Sequence, residues 1–149
     1  MLINFGEHKG KTAEEVLIKE PLYVQYALYK AATGPLLSLK NELLRLIKIF
    51  DNKPFTVTCK TCEKLATRGS AYRRNPNPVF FWCDDCDMTS WGAVRSKLTE
   101  IKTYQGALFH LATDDANKKE YRDLIKNLAI GKGLPNRITQ KALMEFFRS

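Results

Sequence analysis

Four cysteines are the residues best placed to do chemistry: Cys59, Cys62, Cys83 and Cys86, in two Cys-x-x-Cys pairs. Each pair can wrap two thiolates around one ion in a tight knuckle. The 20 residues between the pairs are enough for a hairpin that brings the chain back to the same point. This spacing predicts a tetrahedral four-thiolate site, with zinc as the metal. An iron–sulfur cluster, a redox dithiol and disulfides rank behind it, because nothing else in the chain points to a redox cofactor or an oxidising compartment. Four protein ligands leave no open coordination position, so the expected zinc is structural.

The loop between the knuckles carries the second group of candidates. Arg68, Arg73 and Arg74 alternate with Tyr72, and Phe80, Phe81 and Trp82 follow. Guanidinium groups pair with phosphates and flat rings stack on unpaired bases. Arg68, Tyr72, Arg73 and Arg74 are therefore the expected nucleic-acid contacts. In a strand of period two, part of the Phe80–Trp82 run must instead face a core. A second contact is expected from Lys9 and Lys11. They lie within "GEHKGK", where two glycines allow a tight turn that could offer N–H groups to an anion. Only three residues separate those glycines, too few for a nucleotide-binding P-loop. Lys118, Arg122 and Lys126 recur every fourth residue and would line one helical stripe, a further basic surface.

The totals agree with a polyanionic partner. The 149 residues carry a formal charge of +8 and are 44% apolar, enough for a folded core with a basic exterior. Residues 90–149 hold 11 basic and 6 acidic side chains, so most of the surplus lies there. Nucleic acid is the expected partner, DNA ahead of RNA, with a protein of a nucleic-acid-processing complex as the other possibility. No membrane partner is expected, because no window of about 18 apolar residues exists. "MLINFGEHKGK" lacks the apolar run of a signal peptide. The expected location is thus the cytoplasm, where thiols stay reduced.

No motif demands catalysis. His8 falls in a turn and His110 within an apolar helix. The adjacent pairs Glu14/Glu15, Asp84/Asp85 and Asp114/Asp115 diverge. Neither Gly-x-Ser-x-Gly nor His-Glu-x-x-His occurs, so the chain is expected not to be an enzyme.

These residues must be positioned by an α+β fold, read as three stretches. Residues 1–50 hold a short strand "LINF", a turn and three helices. Thr12 and Glu15 suit a capping box, Pro21 suits a first helical turn, and Leu36, Leu39, Leu43, Ile47 and Phe50 form one apolar face. Residues 51–91 are the zinc ribbon, with strands at "FTVT", "SAYRR" and "VFFW". Residues 92–149 return to helix. One face is expected from Trp91, Val94, Leu98 and Ile101, and another from Tyr104, Leu108 and Leu111. A helix is expected to begin near "TDDA", and a last one covers "ITQKALMEFF".

Two resemblances add to this. The pattern Phe5, Gly6, Lys9, Gly10, Val16, Pro21 and Tyr23 resembles the small module C-terminal to exodeoxyribonuclease X-like nucleases. Glu7 stands where that family usually has Lys, and Tyr26 where Trp is common. The resemblance implies a DNA-associated accessory module without nuclease activity. The run "NPNPVFFWCDDCDMTSW" is distantly similar to GRF-type and topoisomerase C-terminal zinc ribbons. It lacks their glycine after Cys62 or Cys86 and their loop Arg-Pro. Together they imply a DNA-binding accessory protein of replication, repair or phage biology. The alternative is a small protein-interaction factor, such as a phage-encoded inhibitor of a bacterial nucleic-acid-processing complex.

Overall fold

The glycine turn sets the start of the chain. Gly6 and Gly10 take positive φ angles of 70° and 93°, which glycine adopts without steric cost. The chain reverses so that Ile3 and Lys11 come together, with the Ile3 N–H donating to the Lys11 carbonyl at 2.8 Å. A single bridge, Leu2 to Thr12, stands where a strand was expected. In this computed structural model, which describes residues 1–31, 33–86 and 98–148, a helical N-terminal part follows. It consists of α1 (Ala13–Lys19), α2 (Pro21–Lys30) and α3 (Gly34–Asn52). Thr12 caps α1 by accepting the Glu15 N–H at 3.2 Å. Only half of the expected capping box forms, because the Glu15 carboxylate pairs with Lys19 at 3.6 Å.

The central sheet has three antiparallel strands in the order β2-β1-β3: β1 (Arg68–Tyr72), β2 (Asn75–Trp82) and β3 (Leu98–Ile101). Three helices follow: α4 (Tyr104–Thr113), α5 (Lys118–Gly131) and α6 (Gln140–Phe146). The architecture is α+β.

Three expectations are corrected. "FTVT" is no strand. The Thr56 N–H bonds the Gly131 carbonyl, Val57 accepts from Ala66, and Thr58 bridges Leu65. Its backbone partners are thus split between the end of α5 and the first cysteine knuckle. Leu98 and Ile101 lie on β3 rather than a helix. Their three-residue spacing fits a helical face, but the open edge of β1 pairs the segment, and tertiary pairing outweighs local preference. Trp91 and Val94 of that expected face lie outside the described residues. The helix expected near "TDDA" starts later, at Lys118. Asn117 caps it with a full capping box to Glu120, at 2.8 and 3.1 Å. Asp115 instead takes a left-handed φ of 53°, which Asp tolerates better than most residues.

One continuous core runs from Ile3 to Phe147 and draws on all three stretches of the sequence. The expected stripe of α3 enters it through Leu39, Leu43, Ile47 and Phe50, with Leu36 partly buried against it. Tyr104 pins α4 in place. Its ring is fully buried edge-on to Phe50, its hydroxyl donates to the Leu17 carbonyl at 2.7 Å, and its N–H donates to Asp51.

α5 is the spine of the molecule, meeting α1, α2, α4 and β2. It approaches the sheet closely because both surfaces are small where they meet. A Cβ on Gly69 of β1 would sit 3.3 Å from Leu128, and one on Gly131 would overlap the Phe81 ring. Beyond α5, Lys132 is 7% exposed. Its ammonium donates to the carbonyls of Phe50 at 3.0 Å and Lys53 at 2.8 Å, and more weakly to Asp51 at 3.5 Å. It also lies over the Phe50 and Phe55 rings. A lysine that reads as surface in the sequence is thus a buried cap on the negative end of α3.

Candidate metal centre and neighbouring surfaces

The four cysteines converge. The sulfur atoms of Cys59, Cys62, Cys83 and Cys86 all lie within 4.8 Å of one another, and Cys62 and Cys83 are 3.6 Å apart. All four are free thiols, too far apart for a disulfide bond of about 2.05 Å. Thiolates 2.3 Å from a tetrahedral ion would be separated by ~3.8 Å, so one metal ion fits the arrangement. These residues form a possible metal site.

Local structure explains the convergence. The first knuckle closes with the Cys59 N–H donating to the Lys64 carbonyl at 2.8 Å. β1 and β2 then carry the chain out and back, in a register that sets Arg68 opposite Trp82. The two knuckles are tied together through Lys60 N–H to the Phe81 carbonyl and Thr67 N–H to the Trp82 carbonyl. Asp84 and Asp85 serve the same purpose. Asp84 accepts from the Thr67 hydroxyl at 2.7 Å, and Asp85 pairs with Lys64 at 2.8 Å. Lys64 holds the Asp85 carboxyl below its usual range.

Trp82 supplies the packing. It is 1% exposed and forms a satellite cluster with Cys59 and Cys83, bordered by Phe80. Its indole N–H donates to Ser70 at 2.7 Å. Phe81, on the opposite face of the strand, packs on Gly131 and Phe55. The aromatic run therefore joins two cores, one at the cysteines and one at α5.

The thiols share charge unequally. Burial raises the Cys59 pKa, but the Thr61 hydroxyl and backbone hydrogen bonds at Thr61, Cys83 and Cys62 outweigh it and bring it to about 5. A backbone hydrogen bond at Lys64 lowers that of Cys62, yet burial and the neighbouring thiols push it up to about 12.

The expected nucleic-acid residues have diverse surroundings. Arg68 turns inward, half-buried, donating to the carbonyls of Cys83 and Cys86 and pairing with Glu100 at 3.6 Å. It braces the second knuckle. Tyr72 is half-buried, edge-on to Phe80. Arg73 and Arg74 occupy the hairpin tip and are exposed. Arg74 has a φ of 63°, and its N–H donates to Asp114 at 2.8 Å. The Arg73 guanidinium reaches the other Asp114 oxygen at 3.4 Å. Asp114 is thereby the anchor of the tip, a residue that sequence spacing assigned to a helix start. Its side chain is only 4% exposed. Burial raises its pKa, but the Arg74 N–H, Arg73 and His110 bring it below the usual carboxylate range.

In the glycine turn, Lys9 is exposed and Lys11 half-buried. The N–H groups of Lys9, Gly10 and Lys11 bond the carbonyls of Gly6, Ile3 and His8, so they hold the turn rather than aim at an anion. The Lys11 ammonium contacts His8 Nδ1 at 3.2 Å and Glu20 at 3.5 Å.

Two hollows meet at Glu20. One is a groove of about 680 Å³ walled by Phe5, His8, Tyr23 and Tyr26, with Glu20 and Lys118 among its polar residues. The other, about 400 Å³, is lined by Lys19, Arg122, Lys126 and Asn136 and shares Glu20 with the first. The Pro21–Tyr23–Tyr26 spacing on α2 was the available sequence signal for the groove.

Set against known proteins, the chain matches no family model, no curated protein and no solved structure. Among the described residues, no helix is long and apolar enough to cross a membrane.

Proposed function

We propose that the chain is a non-catalytic, zinc-stabilised nucleic-acid-binding protein, an accessory to DNA transactions such as replication, repair or phage propagation. One observation carries it. Four thiols gathered within 4.8 Å clamp the base of a hairpin whose tip presents two arginines. Zinc is the metal that an all-thiolate tetrahedron selects in a chain with no other sign of redox chemistry. Held by four protein ligands, it keeps no position for substrate and acts by fixing the hairpin. A charge of +8 then favours a polyanion. The resemblance of the N-terminal turn to modules of exodeoxyribonuclease X-like enzymes supports DNA over RNA. A location where thiols stay reduced, such as the cytoplasm, belongs to the same proposal.

Arg73, Arg74 and Lys9 are the exposed members of the candidate set, with Lys11 beside them. Arg68 contributes by supporting the knuckle. Tyr72 contributes through its exposed edge.

Fluorescence anisotropy of zinc-loaded protein with labelled single-stranded DNA, duplex DNA and RNA, at two salt concentrations, tests this. Binding that weakens as salt rises, with DNA preferred, is the expected result. Absence of binding at low salt overturns the proposal. A stoichiometric protein complex that survives nuclease treatment would then favour the interaction-factor alternative.

A further inference from the structure

The two hollows share Glu20 and differ in chemistry. The groove is aromatic. His8 meets Tyr23 edge-on at 4.4 Å between ring centroids, and Tyr23 meets Tyr26 at 5.9 Å. Tyr26 is 51% exposed, so one end of this ladder of rings is open to solvent. The second hollow is cationic. Arg122 is fixed there by its Nε–H, which donates to the Lys19 carbonyl at 3.3 Å. That bond closes the end of α1, and Arg122 remains exposed. No ion pair to Arg122 or Lys126 is present among the described residues.

α5 links the two hollows. Lys118 lines the groove, while Arg122 and Lys126 line the cationic hollow. Each step along this row is four residues, or about 6 Å of helix. That is comparable with the distance between successive phosphates of an extended strand. Glu20 lies between the hollows and would oppose phosphate, but Lys11 at 3.5 Å and Lys118 at 3.8 Å neutralise it. Its side chain is 12% exposed, so the surface presented outward is cationic beside aromatic.

We infer that single-stranded nucleic acid binds along this face, phosphates on Arg122 and Lys126 and an unstacked base on the Tyr23–Tyr26 rings. Rings beside a cationic track are how proteins hold single strands without reading sequence. A duplex would leave the groove empty, because its bases are already stacked. This inference rests on the nucleic-acid function proposed above and moves the principal contact from the zinc hairpin to α2 and α5.

The test uses full-length, zinc-loaded protein and labelled oligothymidylate, with affinity measured over a range of salt. Each phosphate contact on a single strand contributes about 0.7 to the slope of log K against log salt. Arg122→Gln with Lys126→Gln should lower that slope by about 1.4, and Lys126→Gln alone by about 0.7. Lys126→Gln leaves the Arg122 bond to Lys19 intact, so it remains decisive if the double variant folds poorly. Tyr26→Ala should weaken binding roughly 5- to 150-fold, the usual contribution of one stacked base. It should leave the salt slope, and binding to an abasic oligonucleotide, unchanged. A slope lowered by Arg73→Ala with Arg74→Ala, and not by the α5 variants, overturns this inference and leaves the proposed function standing. Equal affinity of wild type and Tyr26→Ala overturns the base site. Preference for duplex overturns the single-strand assignment. No binding by wild type overturns the proposed function and this inference with it.

Discussion

Removing the metal should melt the knuckles while sparing the helical core. The knuckles comprise roughly a dozen residues, and ordering each costs about 1.5 kcal/mol, or about 18 kcal/mol in all. Their own apolar burial is meagre, because among the described residues the satellite cluster holds only Trp82, Cys59 and Cys83 as buried members. A buried tryptophan removes about 200 Å² from water, worth about 5 kcal/mol at 25 cal/mol per Å². The shortfall of about 13 kcal/mol lies within the 10–16 kcal/mol that structural zinc supplies to small domains. The main core from Ile3 to Phe147 uses none of the cysteines, so helix content should survive. The perturbation is a strong chelator, or Cys83→Ser, in a Trp91→Phe background, so that Trp82 is the sole indole. Metal analysis should give one zinc per chain. Chelation should shift Trp82 emission to the red while far-UV circular dichroism keeps most of its helical signal. An unshifted Trp82 after verified loss of metal, or a chain that binds no metal, would refute the reasoning.

Two further perturbations test the packing around the sites. Lys132→Met keeps the apolar stem but removes the donors to the Phe50, Asp51 and Lys53 carbonyls. Loss of charged hydrogen bonds at a buried helix end should cost about 2–4 kcal/mol and lower the melting temperature by roughly 5–15 °C; a melt within a degree of wild type would contradict it. His110 is held below its usual pKa, first by burial and also by Arg73, against the opposing pull of Asp114 and the Tyr72 backbone. Between its native pKa and about 6.5, the unfolded chain binds more protons than the native one. The stability contributed by neutral His110 is therefore present above pH 6.5 and lost as pH falls toward the native pKa. The slope is at most about 1.4 kcal/mol per pH unit. Melting curves of wild type and His110→Gln at pH 7.5 and 5.5 should diverge in that direction, and parallel curves would remove His110 from the acid response.

What the sequence revealed and what it concealed divide along a physical line. Periodicity and spacing are one-dimensional, and they located α1, α2, α3, α4 and α6, α5 apart from its start, the β1–β2 hairpin and the four-cysteine cluster. Side-chain direction and competition between partners are three-dimensional. Arg68 reads as one more loop arginine, yet two cysteine carbonyls and Glu100 draw it inward. Asp114 reads as a helix start, yet two consecutive tip residues claim its oxygens. Lys132 reads as a surface lysine, yet it satisfies carbonyls that α3 leaves unpaired at its end. β3 escaped detection because Leu98 and Ile101 suit a helical face equally well until the β1 edge is present to pair them.

The same competition bears on where a polyanion would bind. Two of the charges that made the hairpin attractive are committed in the folded chain: Arg68 to the knuckle and Arg73 to Asp114. A phosphate arriving there must displace an acid already in place, and exposed ion pairs gain little from such an exchange. On α5 the order of events differs. Folding neutralises the one acid between the hollows with Lys11 and Lys118 and leaves Arg122 and Lys126 without carboxylate partners among the described residues. Charges that folding leaves uncompensated are those whose counterions a nucleic acid can release with net gain. Hence the cysteine-clamped hairpin and the proposed binding track need not coincide. β2 packs on α5 through Phe81 and Gly131, so a metal that holds β2 in register also holds the C-terminal end of the helix that presents the track. Chelation should then weaken binding through α5 even if no cysteine, and no hairpin arginine, ever touches the strand.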